Sequence, residues 1–178
     1  MMQVFFLDTL PTPIGELMIV ADENNCLRAV EWREYEEKLY RSLNRRYAND
    51  PFTLRSGNNP GGLTDSLQRY FAGDLNAINA LAVVFAGTVF QQRVWQTLRE
   101  IPCGETISYG ELALRLGNPA ASRAVGMANG SNPISIVVPC HRVIGANGAL
   151  TGYAGGIYRK QWLLSHEGYF PQQNILAL

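Results

Sequence analysis

A chain of 178 residues that is 47% hydrophobic has the apolar material for one large or two small domains and too much of it for a disordered tail. Its apolar runs stop far short of the roughly 20 residues that span a bilayer, and Met1–Asp8 carries no basic segment or small-residue cleavage site, so a cytoplasmic protein without leader or membrane anchor is expected. The net charge is zero, yet residues 1–87 hold eight basic and eleven acidic side chains, residues 88–178 seven and four, and positions 112–166 no acid at all, which fits an anionic partner for the C-terminal half.

The first third reads as strands. Val4–Leu10, Leu17–Ala21 and Leu27–Trp32 are apolar or β-prone, and Pro11/Pro13-Gly15 and Asp22–Asn25 supply turn chemistry between them. Links this short favour an antiparallel meander. Leu39, Leu43 and Tyr47 then recur every four residues, which predicts a helix over Glu34–Tyr47. Ser56–Gly62 reads as a loop, Thr64–Phe71 as a second helix closed by Gly73, and Ala80–Ala86 as a further strand. Residues 1–87 thus form an α/β unit, an antiparallel sheet with helices, in which nothing looks catalytic.

At Gly87 the texture changes and a second unit, 88–178, begins. Thr88-Val89-Phe90-Gln91 is a capping box. It opens a helix whose stripe of Phe90, Val94, Leu98 and Ile101, with Trp95 beside it, reads as core, and Pro102 stops it. Ser108-Tyr109-Gly110-Glu111 is another capping box, for a helix to about Leu116 with Gly117 as its left-handed end. Asn118 as N-cap and Pro119 at the first helical position start a second helix that Gly130 ends near Asn129. Two short helices on a tight turn make a helix-turn-helix, a motif that is often only structural. Here the second helix is built of Ala, Ser and Gly with one charge, Arg123. Side chains that small read few base edges, so such a helix would grip DNA by shape and backbone.

The apolar run Ile134–Val138 reads as a buried strand that delivers Pro139-Cys140-His141-Arg142-Val143. Three cysteines without a CxxC pair and two histidines argue against a disulfide framework and against a zinc site. A lone Cys is usually a small core residue. Cationic or ionisable neighbours beside a buried one are costly, however, and can favour the nucleophilic thiolate. Adjacent strand residues point to opposite faces, so Cys140 and His141 meet only if the chain turns there or a water bridges them. Past Glu111 the single carboxylate is Glu167, the one acidic partner available to His141 in this half. His166 reads as a helix-end residue, and Cys26 and Cys103 as structural. Gly145–Gly156 has the wrong spacing for a phosphate loop. Its Gly152-Tyr153-Ala154-Gly155-Gly156 suits a backbone that approaches a flat ligand closely.

VVPCHRVIGANGALTGYAGG and RKQWLLSHEG resemble the active-site signature of the O6-alkylguanine-DNA alkyltransferases, and ISYGELA and SRAVGMANGSNP match upstream. The strong match runs over about residues 88–168. CLRAVEW, NPGGL and YFAG are similar to the bacterial stand-alone Ogt-type members. The resemblance implies a ribonuclease-H-like N-terminal domain and a mainly α, winged-helix-like C-terminal domain. It implies that Cys140 accepts the alkyl group, His141 takes its proton through a water, Glu167 orients His141, and Asn132 braces the cysteine segment. Tyr109 would turn out the nucleotide and contact its base, Arg123 would fill the stack, and Ala124 would lie with it on the recognition helix. Val143, Tyr153, Ala154 and Gly155 would line the substrate pocket. Some members carry Ser where Ala154 stands, which bears on the alkyl groups admitted. The implied partner is double-stranded DNA containing O6-alkylguanine, or O4-alkylthymine, held through the minor groove with little sequence preference by a monomer. The resemblance implies no cofactor, metal or membrane, and each molecule would act once. The rival readings are a damage-binding module without chemistry and a cysteine hydrolase using Cys140 and His141.

Overall fold

The computed structural model describes residues 2–170, so the last eight residues of the expected C-terminal unit lie outside the description. The three expected strands are present as β1 (Gln3–Thr12), β2 (Gly15–Asp22) and β3 (Leu27–Trp32), paired antiparallel. A helix, α1 (Glu36–Arg46), follows a 3-10 turn over Arg33–Tyr35, which accounts for the earlier start expected from the sequence. It carries the chain across to β4 (Phe52–Ser56), which pairs parallel to β1 and makes the sheet mixed, in the order β3-β2-β1-β4. β4 has no buried residue, hence no apolar alternation by which to recognise it.

Ala80–Ala86 is not a strand. Only Val83 bridges β3, at Leu27. The free edge of β3 is divided: Leu27 exchanges bonds with Ala82 and Val84, while Val30 receives Pro133–Ser135 from the other half of the chain. Neither segment gains enough of the edge to form a ladder. Ile134–Val138 is likewise buried but not extended. Val138 N–H closes back on the Ile134 carbonyl and Ile136 takes a φ of 74°. α2 (Leu63–Phe71) lies as expected, with Gly73 beyond its end.

The C-terminal half packs α3 (Val89–Leu98), β5 (Ile107–Ser108), α4 (Tyr109–Arg115), α5 (Ser122–Gly130), β6 (Val143–Ile144) and α6 (Ile157–His166). Both halves of the Thr88/Gln91 capping box form. At Ser108 only one does: Ser108 Oγ accepts from Glu111 N–H, but the Glu111 carboxylate turns to Arg115 at 3.2 Å. Gly117 ends α4 at φ 76°. Asn118 makes no side-chain cap, and Pro119 opens a 3-10 turn that runs into α5. α4 and α5 are the helix-turn-helix.

One core joins the two halves: Leu27, Trp32, Leu67 and Tyr70 pack with Trp95, Val125, Ile136 and Leu163. A smaller core, with Phe5, Met18 and Val20 against Leu39 and Leu43, seats α1 on the other face of the sheet. Among the described residues no helix is long and apolar enough to cross a membrane.

Candidate active site

The turn at 132–138 exists to present Cys140. Asn132 braces it from both ends, its Nδ2 donating to the Val138 carbonyl at 2.8 Å and its Oδ1 accepting from Ile134 N–H at 3.0 Å. Pro139 then feeds a 3-10 turn, Cys140–Arg142. In such a turn consecutive side chains are rotated by about a third of a revolution rather than alternating between faces. The obstacle posed by adjacency in a strand therefore disappears, and Cys140, His141 and Arg142 are all buried together.

Behind them lies a charged knot. Glu167, the C-cap of α6, is 5% exposed, and His141 is 0% exposed. His141 Nε2 sits 2.8 Å from Glu167 Oε1. An ionised carboxylate only accepts, so Nε2 carries the proton and donates it. The other ring nitrogen, Nδ1, is then a base with its lone pair free, and it is buried with no hydrogen-bond partner among the described residues. Arg142 grips the same carboxylate through Nε at 2.7 Å and Nη2 at 2.9 Å, and its Nη1 donates to the Ile101 carbonyl. Tyr70 Oη, from α2, donates to Glu167 Oε2 at 2.9 Å. Every lone pair of Glu167 that faces the interior is used.

Burial alone would raise the Glu167 carboxyl. His141 and Arg142 outweigh it and hold the group far below the usual carboxylate range. Burial lowers His141 more than Glu167 raises it, so the imidazole is neutral at pH 7. Burial pushes the Cys140 thiol up, with Asn132 and the Lys160 charge opposing. The resting pair is therefore a thiol beside a neutral imidazole, a nucleophile that needs a base and a base ready to serve. Cys103, near Glu167, is pushed up to about 11 by burial and then by that carboxylate. It is a poor competitor for an electrophile.

The outer wall is made by α4, α5 and the loop that follows β6. Tyr109, half-buried at the start of α4, lies against Gly126 of α5, and its Oη donates to the Thr151 carbonyl at 3.1 Å. α5 turns Val125, Ala128 and Asn129 inward and leaves Arg123, Ala124 and Met127 exposed, Met127 by 74%. Val143 N–H donates to the Cys140 carbonyl, and its own carbonyl, an acceptor with two lone pairs, takes one bond from Lys160. Ala154 is exposed. Tyr153 buries an unpartnered hydroxyl. Gly155 is wedged between Trp32 and Tyr153, each 2.7 Å from where a Cβ would stand. Gly155→Ala should therefore push the loop outward, costing ~1–3 kcal/mol as overpacking does. A fall in melting temperature of several degrees, absent in Ala154→Ser, checks this.

The structure thus brings Cys140, His141, Glu167 and Asn132 together. Tyr109 stands at the start of α4, Arg123 and Ala124 on the exposed face of α5, and Tyr153, Ala154 and Gly155 on the loop between β6 and α6. The structure also holds residues the sequence reading passed over. Tyr70 belongs to the half in which nothing looked catalytic, and no local pattern links it to Glu167, 97 positions away. Arg142 was noticed only as an expensive neighbour of the thiol, and that expense was its signal. His166 is more than a helix end: it stacks on Trp162 at 4.7 Å and its Nε2 lies 2.7 Å from the Tyr70 carbonyl, tying α2 to α6. A basic cleft of about 610 Å³ between α1 and the 130–133 turn, lined by Arg41, Arg45 and Arg46 among others, has no cysteine or histidine in its lining. No cluster of metal-ligating side chains is found among the described residues.

Two family models match the chain: "6-O-methylguanine DNA methyltransferase, ribonuclease-like domain" over residues 6–85 and "6-O-methylguanine DNA methyltransferase, DNA binding domain" over residues 89–169. The Methylated-DNA--protein-cysteine methyltransferase of Shigella flexneri is 57% identical over 162 residues, 91% of this chain and 95% of that protein. Its namesake from Mycobacterium bovis is 46% identical over 89% of this chain and 90% of its own. Among solved structures, the O6-methylguanine methyltransferase of Mycobacterium tuberculosis superimposes with a TM-score of 0.74 at 42% identity, covering 97% of this chain and 98% of the other. Mycobacterium tuberculosis OGT in complex with DNA gives 0.72 at 43%, with 92% of each chain covered.

Proposed function

The chain belongs to the 6-O-methylguanine DNA methyltransferase family, and from that premise we propose that it repairs DNA by moving an alkyl group from O6 of guanine onto Cys140, once per molecule. The observation that carries this reading is the pairing of His141 Nε2 with Glu167, which leaves the Nδ1 lone pair as a buried, unpartnered base on the residue that follows Cys140 in the same 3-10 turn. His141 takes the Cys140 proton through one bridging water, within the reach of a general base. The thiolate attacks the alkyl carbon in line, a C–S bond forms as the C–O bond breaks, and guanine leaves with its O6 restored. Tyr109 Oη, the donor nearest the approach, protonates the departing guanine, and the proton held by the imidazolium restores Tyr109 by way of solvent, so that no net proton is gained or lost. Glu167 stabilises the imidazolium formed in between.

The lesion lies inside a duplex, so the nucleotide must be flipped out at a cost of a few kcal/mol. The exposed face of α5 supports entry from the minor groove. Arg123 fills the gap, and Ala124 and Gly126 let the helix press on the sugar-phosphate backbone. Nothing on this face reads base edges, in keeping with weak sequence preference. O4-alkylthymine carries the same alkyl–oxygen group on a flat ring and is included as a substrate. The protein works as a monomer on chromosomal DNA in the cytoplasm.

The thioether has no leaving group that water could displace at neutral pH. Titration with a duplex containing O6-methylguanine is therefore expected to plateau at one restored guanine per protein. Continued turnover would favour a hydrolase, and binding without restoration a damage-recognition module. The added methyl crowds a packed site, and overpacking costs ~1–3 kcal/mol. The spent protein should thus melt lower by roughly 2–4 °C per kcal/mol for a domain of this size. An unchanged melting temperature after complete alkylation contradicts it.

A further inference from the structure

Lys160 on α6 is fully buried, yet it has no carboxylate partner among the described residues. Its Nζ donates instead to three main-chain carbonyls: Val143 at 2.6 Å, Thr151 at 3.0 Å and Gly152 at 3.2 Å. Three acceptors need three protons, so this arrangement is complete only for the ammonium form. Val143 follows the Cys140–Arg142 turn directly, whereas Thr151 and Gly152 belong to the loop between β6 and α6. The same Thr151 carbonyl accepts from Tyr109 Oη. One cation thus ties the nucleophile's segment to the pocket wall and, through a shared acceptor, to the tyrosine at the entrance.

We propose that Lys160 is a positioning residue for the transfer reaction, a cationic clamp that holds residues 151–152 against the Cys140 segment so that a flipped base is seated for in-line attack. The inference rests on the alkyl-transfer reading above. A buried charge is expensive without compensation, and here the compensation comes from carbonyls whose positions define the pocket. Loss of one proton must release one of the three.

The titratable groups that face Lys160 are Cys140 and His141 from the 3-10 turn, with Tyr109 of α4 reached through the Thr151 carbonyl. Burial lowers Lys160 to about 8, against the Cys140 charge. Each of the others works in the opposite direction or elsewhere on the scale. Deprotonating Cys140 speeds attack, His141 is already neutral at pH 7, and Tyr109 is shifted upward from its ordinary value, first by burial. The transfer rate should therefore stop rising and fall above about pH 8, although thiolate continues to accumulate.

The test is single-turnover transfer from an O6-methylguanine duplex between pH 6 and 9.5, for wild type and Lys160→Met. Iodoacetamide labelling of Cys140, mapped by peptide, runs in parallel as a reaction that does not use the pocket wall. Lys160→Met is expected to slow transfer on the order of 10²-fold, the effect of a misplacement of about an ångström, and to lose the alkaline fall, while labelling changes by less than a few-fold. Equal slowing of both reactions would overturn the clamp in favour of a purely electrostatic effect on the thiol. Undiminished transfer by Lys160→Met would overturn it outright. Should Lys160→Met not fold, the wild-type profile decides: a rate that climbs monotonically through pH 9.5 overturns the inference. Wild-type protein that takes up no methyl group at all would instead overturn the underlying reading.

Discussion

Glu167→Ala is expected to destabilise the protein by roughly 3–5 kcal/mol, the usual cost of breaking a buried ion pair from one side, and to abolish alkyl transfer. Removing the carboxylate leaves the Arg142 guanidinium, the Tyr70 hydroxyl and His141 Nε2–H buried without the acceptor to which all three donate. The penalty is thus desolvation left uncompensated more than attraction lost. Glu167→Gln separates folding from chemistry. It keeps the shape and one acceptor, should cost less stability, and should still slow transfer by ~10²-fold or more, because a neutral amide cannot stabilise an imidazolium. Thermal melting and single-turnover rates on both variants check the pair. The carboxyl's depressed pKa has a further consequence. The unfolded chain binds the extra proton first, so Glu167 contributes stability that is fully present above ~4.3, the ordinary glutamate value, and is lost as pH falls below it toward the folded value. Wild type should therefore lose stability more steeply than Glu167→Gln between about pH 4 and pH 2.

His141→Ala is expected to lower the transfer rate by ~10²–10⁴-fold at pH 7, the worth of a positioned general base, while binding to lesion-containing DNA stays within a few-fold of wild type. The thiol it leaves behind is shifted upward by burial. Hydroxide must then do what the imidazole did, so the deficit relative to wild type at the same pH should shrink as pH rises. Any effect of Lys160 titration is common to both proteins and cancels in that ratio. A deficit independent of pH would mean that His141 holds the site's shape and does not move the proton. The variant keeps Arg142 and Tyr70 on Glu167, so its fold should survive.

Much of this was legible from the residues. The strands of the meander announced themselves through turn chemistry, α3 through its capping box, and the helix-turn-helix through paired Gly and Asn-Pro punctuation. The Cys140–His141 adjacency and the isolation of Glu167 as the single late carboxylate pointed to the site, and the resemblance of PCHRV supplied the roles. What stayed hidden has physical reasons. β4 has no buried face to alternate. Ala80–Ala86 and Ile134–Val138 look like strands because they are apolar, but both spend their backbone on sharing one edge or closing a turn. Tyr70 reaches Glu167 only because the two halves share a core, and a contact 97 positions long leaves no periodic trace. Nothing in RKQWLL marks Lys160 as buried; its three carbonyl partners come from Val143, Thr151 and Gly152, distant in sequence from one turn of α6.

The central claim is that the sulfur of Cys140 keeps the alkyl group. Intact mass before and after mixing with a short duplex bearing one O6-methylguanine tests it most directly. The account predicts a gain of one methylene per molecule, assigned by peptide mapping to Cys140 and absent from Cys140→Ala, which should still bind the duplex. An unchanged mass in a protein that binds the lesion normally, or a methyl group mapped to Cys26 or Cys103, would contradict it.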